Sequence, residues 1–288
     1  MAQPTELAIS DRPRAAVCAS SVHASVAGST NGEQASIQQW AKAFIESTSL
    51  ADKIAPPAAP LHFDKNVDEI RLRPGRPAEL SVEEYRLRNL TAAALRDHRK
   101  RAFLIHTFWH HELQAAELMC WAILAFPAAP EAFRRGLLRI ALDEIRHMGM
   151  YAQHLESLSF RVGSFPVNDW FWTRIPMAPS PSAFVSAMNI GFEGGNLDHG
   201  LRFAERFDEA GDPEAGRIQR TIVEEEIPHV AFGMRWLARL AGDATFATWQ
   251  SKIASPLSPL LMRGKMLNRR ARARAGQSEE FVNALEHW

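Results

Sequence analysis

Two stretches decide the fold: ALDEIRHMGMY at 141–151 and IVEEEIPHVAFG at 222–233. Each carries Glu-x-x-His, as Glu144 with His147 and Glu226 with His229. On a helix, residues i and i+3 share a face, so a carboxylate and an imidazole can grip one ion. With 22 glutamates and 11 histidines in 288 residues, chance supplies about one such pair, so the motif alone is weak. The surroundings are helical. Leu90 to Phe126 is nearly free of breakers, a second helix runs from Pro130 to about Ser159, a third from Ser182 to Ala210, and a fourth from Pro213 to about Leu240. Gly211-Asp212-Pro213 reads as a helix stop, an N-cap and a first-turn proline in succession. No segment shows strand alternation. The reading is all-α, a four-helix bundle over 91–241.

Outward from the bundle, residues 1–34 read as a flexible leader and 35–90 as an N-terminal arm. The arm holds a short helix at Ser36–Ser47, a proline-rich stretch from Ala55 to Arg76 and a capping box at Ser81-x-x-Glu84. Residues 242–288 read as accessory helices near 244–254 and 278–287. The 33 basic and 33 acidic side chains cancel, which disfavours a chain built to neutralise phosphates. Cys18 and Cys120 are the only cysteines, which excludes a disulfide scaffold and any cysteine-rich metal site. No apolar run is long enough for a membrane span and no signal peptide is evident, so a cytoplasmic protein is expected.

The register of the acidic residues is the stronger signal. Glu112 precedes Glu144 by 32 residues and Glu193 precedes Glu226 by 33. Glu112 lies 14 residues before Phe126, and Glu144 14 after Pro130. Folding the hairpin therefore brings both carboxylates to one height, roughly 21 Å from the turn at 1.5 Å per residue. The chain thus reads Glu, Glu-x-x-His, Glu, Glu-x-x-His, the di-iron or di-manganese ligand pattern of helical bundles. Four carboxylates and two neutral histidines carry the charge that two divalent ions cancel. The expected ligands are Glu112, Glu144, His147, Glu193, Glu226 and His229. Glu117 is the alternative to Glu112, although lower in height, and Asp198 the alternative to Glu193. Pro228 either opens the site by a kink or turns His229 away. The glycines after Glu193 suggest a bulge admitting metal or substrate, and they and Trp170–Trp172 are candidate pocket walls.

Bound histidines commonly donate their second N–H to a carboxylate. Asp143 is expected to orient His229, and Glu225 to orient His147. His110 and Asp198 are expected in the surrounding layer. Tyr151, two turns after Glu144, is a candidate relay for an electron or proton. The run Arg263–Arg274 reads as a solvated tail helix, with RNA or an acidic partner as the alternative.

The strings PGRP (74–77), LIHTFWHHELQAAEL (104–118), DEIRHMGMY (143–151), FEGGNLDHG (192–200) and EEEIPHVAFGMRW (224–236) resemble the ferritin-like family labelled domain of unknown function 455, over about residues 36–288. ELQAA at Glu112 is more remotely similar to the di-iron tRNA hydroxylases. The resemblance implies a ferritin-like bundle with those six residues at the metal positions. The expected function is a non-haem di-iron, or mixed iron–manganese, oxidase or oxygenase. Its partners would be O2, an organic substrate, an electron donor and a second copy in a homodimer. The alternatives are an iron-binding or peroxide-removing protein and a metal-free binding scaffold.

Overall fold

The computed structural model describes residues 35–85 and 90–288. The leader and Cys18 lie outside the described residues. Ser36 starts α1 (Ile37–Glu46), its hydroxyl accepting from the Gln39 N–H while the Gln39 side chain answers the Ser36 N–H. A short α2 (Leu50–Ile54) follows. The proline-rich stretch then runs as a strap, tied where the Ile70 N–H donates to the Leu124 carbonyl at 3.1 Å and the Gly75 N–H to that of Ile45 at 2.8 Å.

The expected helix from Leu90 is broken. α3 (Ala92–Leu95) is a single turn, and α4 (His98–Ala125) starts afresh on Asp97, whose carboxylate accepts from the Lys100 N–H. Ser81 caps nothing, contrary to the expected capping box. Extended backbone there pairs with 167 instead: Glu83 N–H donates to the Val167 carbonyl, and Val167 N–H to that of Ser81, both at 2.8 Å. This isolated bridge is the one piece of extended pairing among the described residues. After the turn at Pro127–Pro130 comes α5 (Glu131–Ser157).

The third long element is not one α-helix. It runs as α6 (Pro181–Val185), a π-helical stretch Ser186–Glu193, and α7 (Gly194–Glu209). Gly211 then takes φ +86°, and Asp212 caps α8 (Pro213–Ala241) by accepting from the Ala215 N–H. Three short helices close the chain: α9 (Phe246–Lys252), α10 (Arg269–Arg274) and α11 (Glu279–His287).

α4 packs along α5, and α7 along α8, each pair joined by a short link that makes neighbours antiparallel. α5 and the π-helical stretch both touch α8, and α1 lies on α4. Covered by α5 on one side and by the arm on another, α4 is buried at every residue from Glu112 to Ala125. A helix enclosed all round must be apolar, or its polar side chains must find partners within the protein. Glu112, Gln114 and Glu117 are the polar residues of that run. No helix among the described residues is long and apolar enough to cross a membrane.

Candidate metal centre

Gln114 and Glu117 are satisfied by their own chain. The Gln114 amide donates to the Asn168 carbonyl at 3.1 Å and its oxygen accepts from the Phe171 N–H at 3.2 Å. Glu117 takes Lys53 Nζ at 2.7 Å, Arg76 at 2.8 and 3.0 Å, and the Trp172 indole N–H at 2.7 Å. It is therefore an ion-paired anchor for the arm and not a ligand, and Trp172 belongs to this anchor as well.

Glu112 points elsewhere. Glu112, Glu144, His147 and Glu226 each bring a ligand atom within 4.8 Å of the others, and Glu144, Glu193, Glu226 and His229 form a second such set. Glu144 and Glu226 are common to both. All six residues are buried, none more than 6% exposed. The geometry defines a first position with Glu112 and His147 as its own residues and a second with Glu193 and His229, each from one helical hairpin. The shared carboxylates lie between them.

The histidines present Nδ1 inward. His147 Nδ1 is 3.3 Å from Glu144 Oε2, and His229 Nδ1 is 3.1 Å from Glu144 Oε1 and 3.2 Å from Glu226 Oε2. Each Nε2 points out to an acidic residue: His147 to Glu225 at 2.8 Å, and His229 to Asp143 at 3.2 Å. The outward N–H fixes each ring so that, once Nδ1 gives up its proton, its lone pair faces the cluster, which is how bound imidazoles are oriented. Arg146 then clamps both outer carboxylates, donating to Glu225 at 2.8 Å and Asp143 at 3.1 Å. Nothing in the sequence singled out Arg146, because its position between Glu144 and His147 reads as an ordinary solvent-facing site.

Electrostatics separates this cluster from the Glu117 anchor. Its carboxylates pair with histidines, and among the described residues no lysine or arginine reaches them. Burial, then repulsion from Glu144, raises Glu112 well above the usual carboxylate range, and burial with Glu226 does the same for Glu193. Glu226 is raised by burial and Glu144. Glu144 moves the other way: burial opposes its charge, but hydrogen bonds from His147 and His229 hold it low. Burial would lower His147, yet hydrogen bonds to Glu112 and Glu144 push it up to about 11. His229 is likewise raised against its burial, by Asp143, Glu144 and Glu226. Without a cation, this cluster must take up protons to be tolerated in the core.

The donor set fits two divalent ions. It supplies oxygen and imidazole ligands, a charge of −4 when deprotonated, and a buried Glu193 Oε1 that has no hydrogen-bond partner. Pro228 does not turn His229 away. It lies on the exposed face of an unbroken α8, and its imidazole neighbour still reaches the cluster.

Other expectations are corrected. His110 belongs to the arm side, with Nδ1 against Gln114 at 3.1 Å and Nε2 3.4 Å from Asp169. Asp198 is fully engaged by Arg272 at 2.7 and 3.0 Å and by the Gly264 and Asn268 N–H groups. In the arginine run Arg272 is completely buried, whereas Arg269, Arg270 and Arg274 stay exposed on α10, with Arg269 pairing with Glu286 and Arg274 with Glu224 at the surface, so α10 is a solvated helix except where Arg272 ties it to Asp198. Gly194 and Gly195 face Arg272 and Met262 of this C-terminal segment. The bulge is real but lies before them, at Ser186–Glu193. Tyr151 is buried, its phenol oxygen accepting from Gln219 Nε2 at 2.6 Å.

Compared with known families, residues 26–283 match the model described as "Protein of unknown function (DUF455)". No curated protein and no solved structure matches the chain.

Proposed function

The chain belongs to this family of unknown function, and from its site we propose that it is a di-metal oxidase or oxygenase that uses O2 on an organic substrate, built on a ferritin-like four-helix bundle. The observation that carries the reading is the pair of overlapping acidic and histidine sets sharing Glu144 and Glu226, buried and without a lysine or arginine among the described residues. Two ferrous ions, or iron with manganese, would supply the electrons for O2 reduction there. Hydroxylating one C–H bond would take two electrons from that bond and two from the metals, with two protons, and leave the second oxygen atom as water. Repeated turnover therefore needs an external donor.

The chain's own residues provide the rest. Glu112 and Glu193 would each hold one ion, Glu144 and Glu226 are common to both ligand sets and would serve both, and Asp143 and Glu225 orient the imidazoles with Nδ1 toward the cluster. Tyr151 is a candidate for holding a proton near the cluster, its phenol kept neutral by burial and by nearby Glu112. Half-buried rings pack on one another: Phe108 against Phe203 at 5.1 Å, His111 against Phe171 at 5.2 Å, and Phe171 against Phe192 at 5.0 Å. His111 and Phe192 directly precede Glu112 and Glu193. This apolar cluster is the approach we assign to the substrate.

The test is metal content and the optical spectrum of anaerobically iron-loaded protein, before and after O2. Two irons per chain and an O2-dependent absorption change are expected, with the change abolished in Glu144→Ala and in Glu112→Ala. Hundreds of irons per assembly would mean storage. Failure to bind iron or manganese, with no effect of either variant, would leave a metal-free scaffold.

A further inference from the structure

The two metal positions differ in the backbone that delivers their terminal carboxylate. Glu112 stands on regular α4, and the residue four before it is Phe108. Glu193 ends the π-helical stretch, and the residue four before it is Asn189. Asn189 is completely buried. Its Nδ2 donates to Glu193 Oε2 at 2.8 Å, while Glu193 Oε1 and Asn189 Oδ1 have no hydrogen-bond partner. No amide side chain makes a comparable contact with Glu112 among the described residues.

The stretch is gripped from both sides. Outside, the Trp249 indole N–H donates to the Ser186 carbonyl at 2.8 Å and Arg272 to the Gly194 carbonyl at 2.8 Å, so both ends are tied to the C-terminal segment. Inside, Asn189 rests on Gly233 of α8, one turn beyond His229. A Cβ on Gly233 would come within 2.7 Å of the Asn189 Cβ. Only a residue without a side chain lets the stretch approach α8 this closely.

We propose that Asn189 is a positioning residue for the second metal position: its amide occupies Glu193 Oε2, fixes the carboxylate plane and leaves Oε1 to the metal. The inference rests on the di-metal reading. It makes the two positions inequivalent, because the first has no such support. Side chains that orient a metal ligand typically contribute 10–100-fold to affinity.

Anaerobic Co(II) titration of the full chain, followed by visible absorption and equilibrium dialysis, tests this. The parent should bind two Co(II). Asn189→Leu, close in shape but without the donor, should weaken one of them at least tenfold and change its ligand-field bands. The same substitution in a Glu193→Ala chain should change nothing further, since Asn189 acts through Glu193. Gly233→Ala, which displaces Asn189 without removing its amide, should weaken the same single position and decides the matter if the leucine variant does not fold. Unchanged binding of both ions in these variants overturns the proposal and leaves the di-metal reading intact. So does equal weakening with and without Glu193, the mark of a general structural role. A parent chain that binds no Co(II) overturns both.

Discussion

Glu112 and Glu117 are five residues apart on the same helix, both buried, and they meet opposite fates. Glu117 is enclosed by Lys53, Arg76 and Trp172, all supplied by the chain. Glu112 joins three more carboxylates and two histidines with no lysine or arginine in reach among the described residues. A buried charge with its counter-charge built in is architecture. On the di-metal reading, a buried cluster without a built-in counter-charge takes up protons until metal binds. Desolvation makes the distinction, since at the surface water would satisfy either residue.

The comparison can be broken most decisively at the shared ligands. Glu144→Ala should abolish both metal positions, whereas Glu193→Ala should spare the first; metal analysis after dialysis would show it. Next in size, Glu117→Ala should destabilise the fold by about 3–5 kcal/mol, because it strands a buried lysine. In chelator, Glu193→Ala should cost less than Glu117→Ala, because it removes a buried carboxylate oxygen that lacks a partner even though it strands the Asn189 amide. Urea unfolding of both variants in chelator compares them, and equal losses would erase the contrast between the two clusters.

Metal loading should release protons, since His147 and His229 are raised in the metal-free cluster and must give up their Nδ1 protons to bind. Affinity should therefore rise with pH, read by proton release in weakly buffered titrations. Asp143→Asn or Glu225→Gln should cost about 10–100-fold in affinity at the position of the histidine it contacts. The smallest effect is expected at Arg146. Its partners Asp143 and Glu225 are 42% and 34% exposed, so Arg146→Ala should cost no more than about 1 kcal/mol.

Much of this centre was legible because its rules are local. The i, i+3 spacing puts Glu144 with His147 and Glu226 with His229, and helical rise across a short turn levels Glu112 with Glu144. Acidic neighbours at Asp143 and Glu225 could be placed behind the histidines of the facing helix by the same geometry. The misreadings involve distant partners. Asp198 meets Arg272 across 74 residues, and Glu117 meets Lys53 across 64. Neither pairing leaves a trace in local spacing. Ser81 and Glu84 show the capping pattern, yet tertiary pairing with Val167 claims the backbone first.

The sequence by itself determined most of the helices, the hairpin heights and the grouping of four glutamates and two histidines in two matched halves, because periodicity and rise per residue are properties of a short peptide. Tertiary structure alone decided which buried acids were already neutralised, that Pro228 leaves His229 in place, and that the third helix widens ahead of Glu193. Those outcomes depend on which distant side chains and backbones come within a few ångströms in the folded core, and burial there turns each missing partner into a cost.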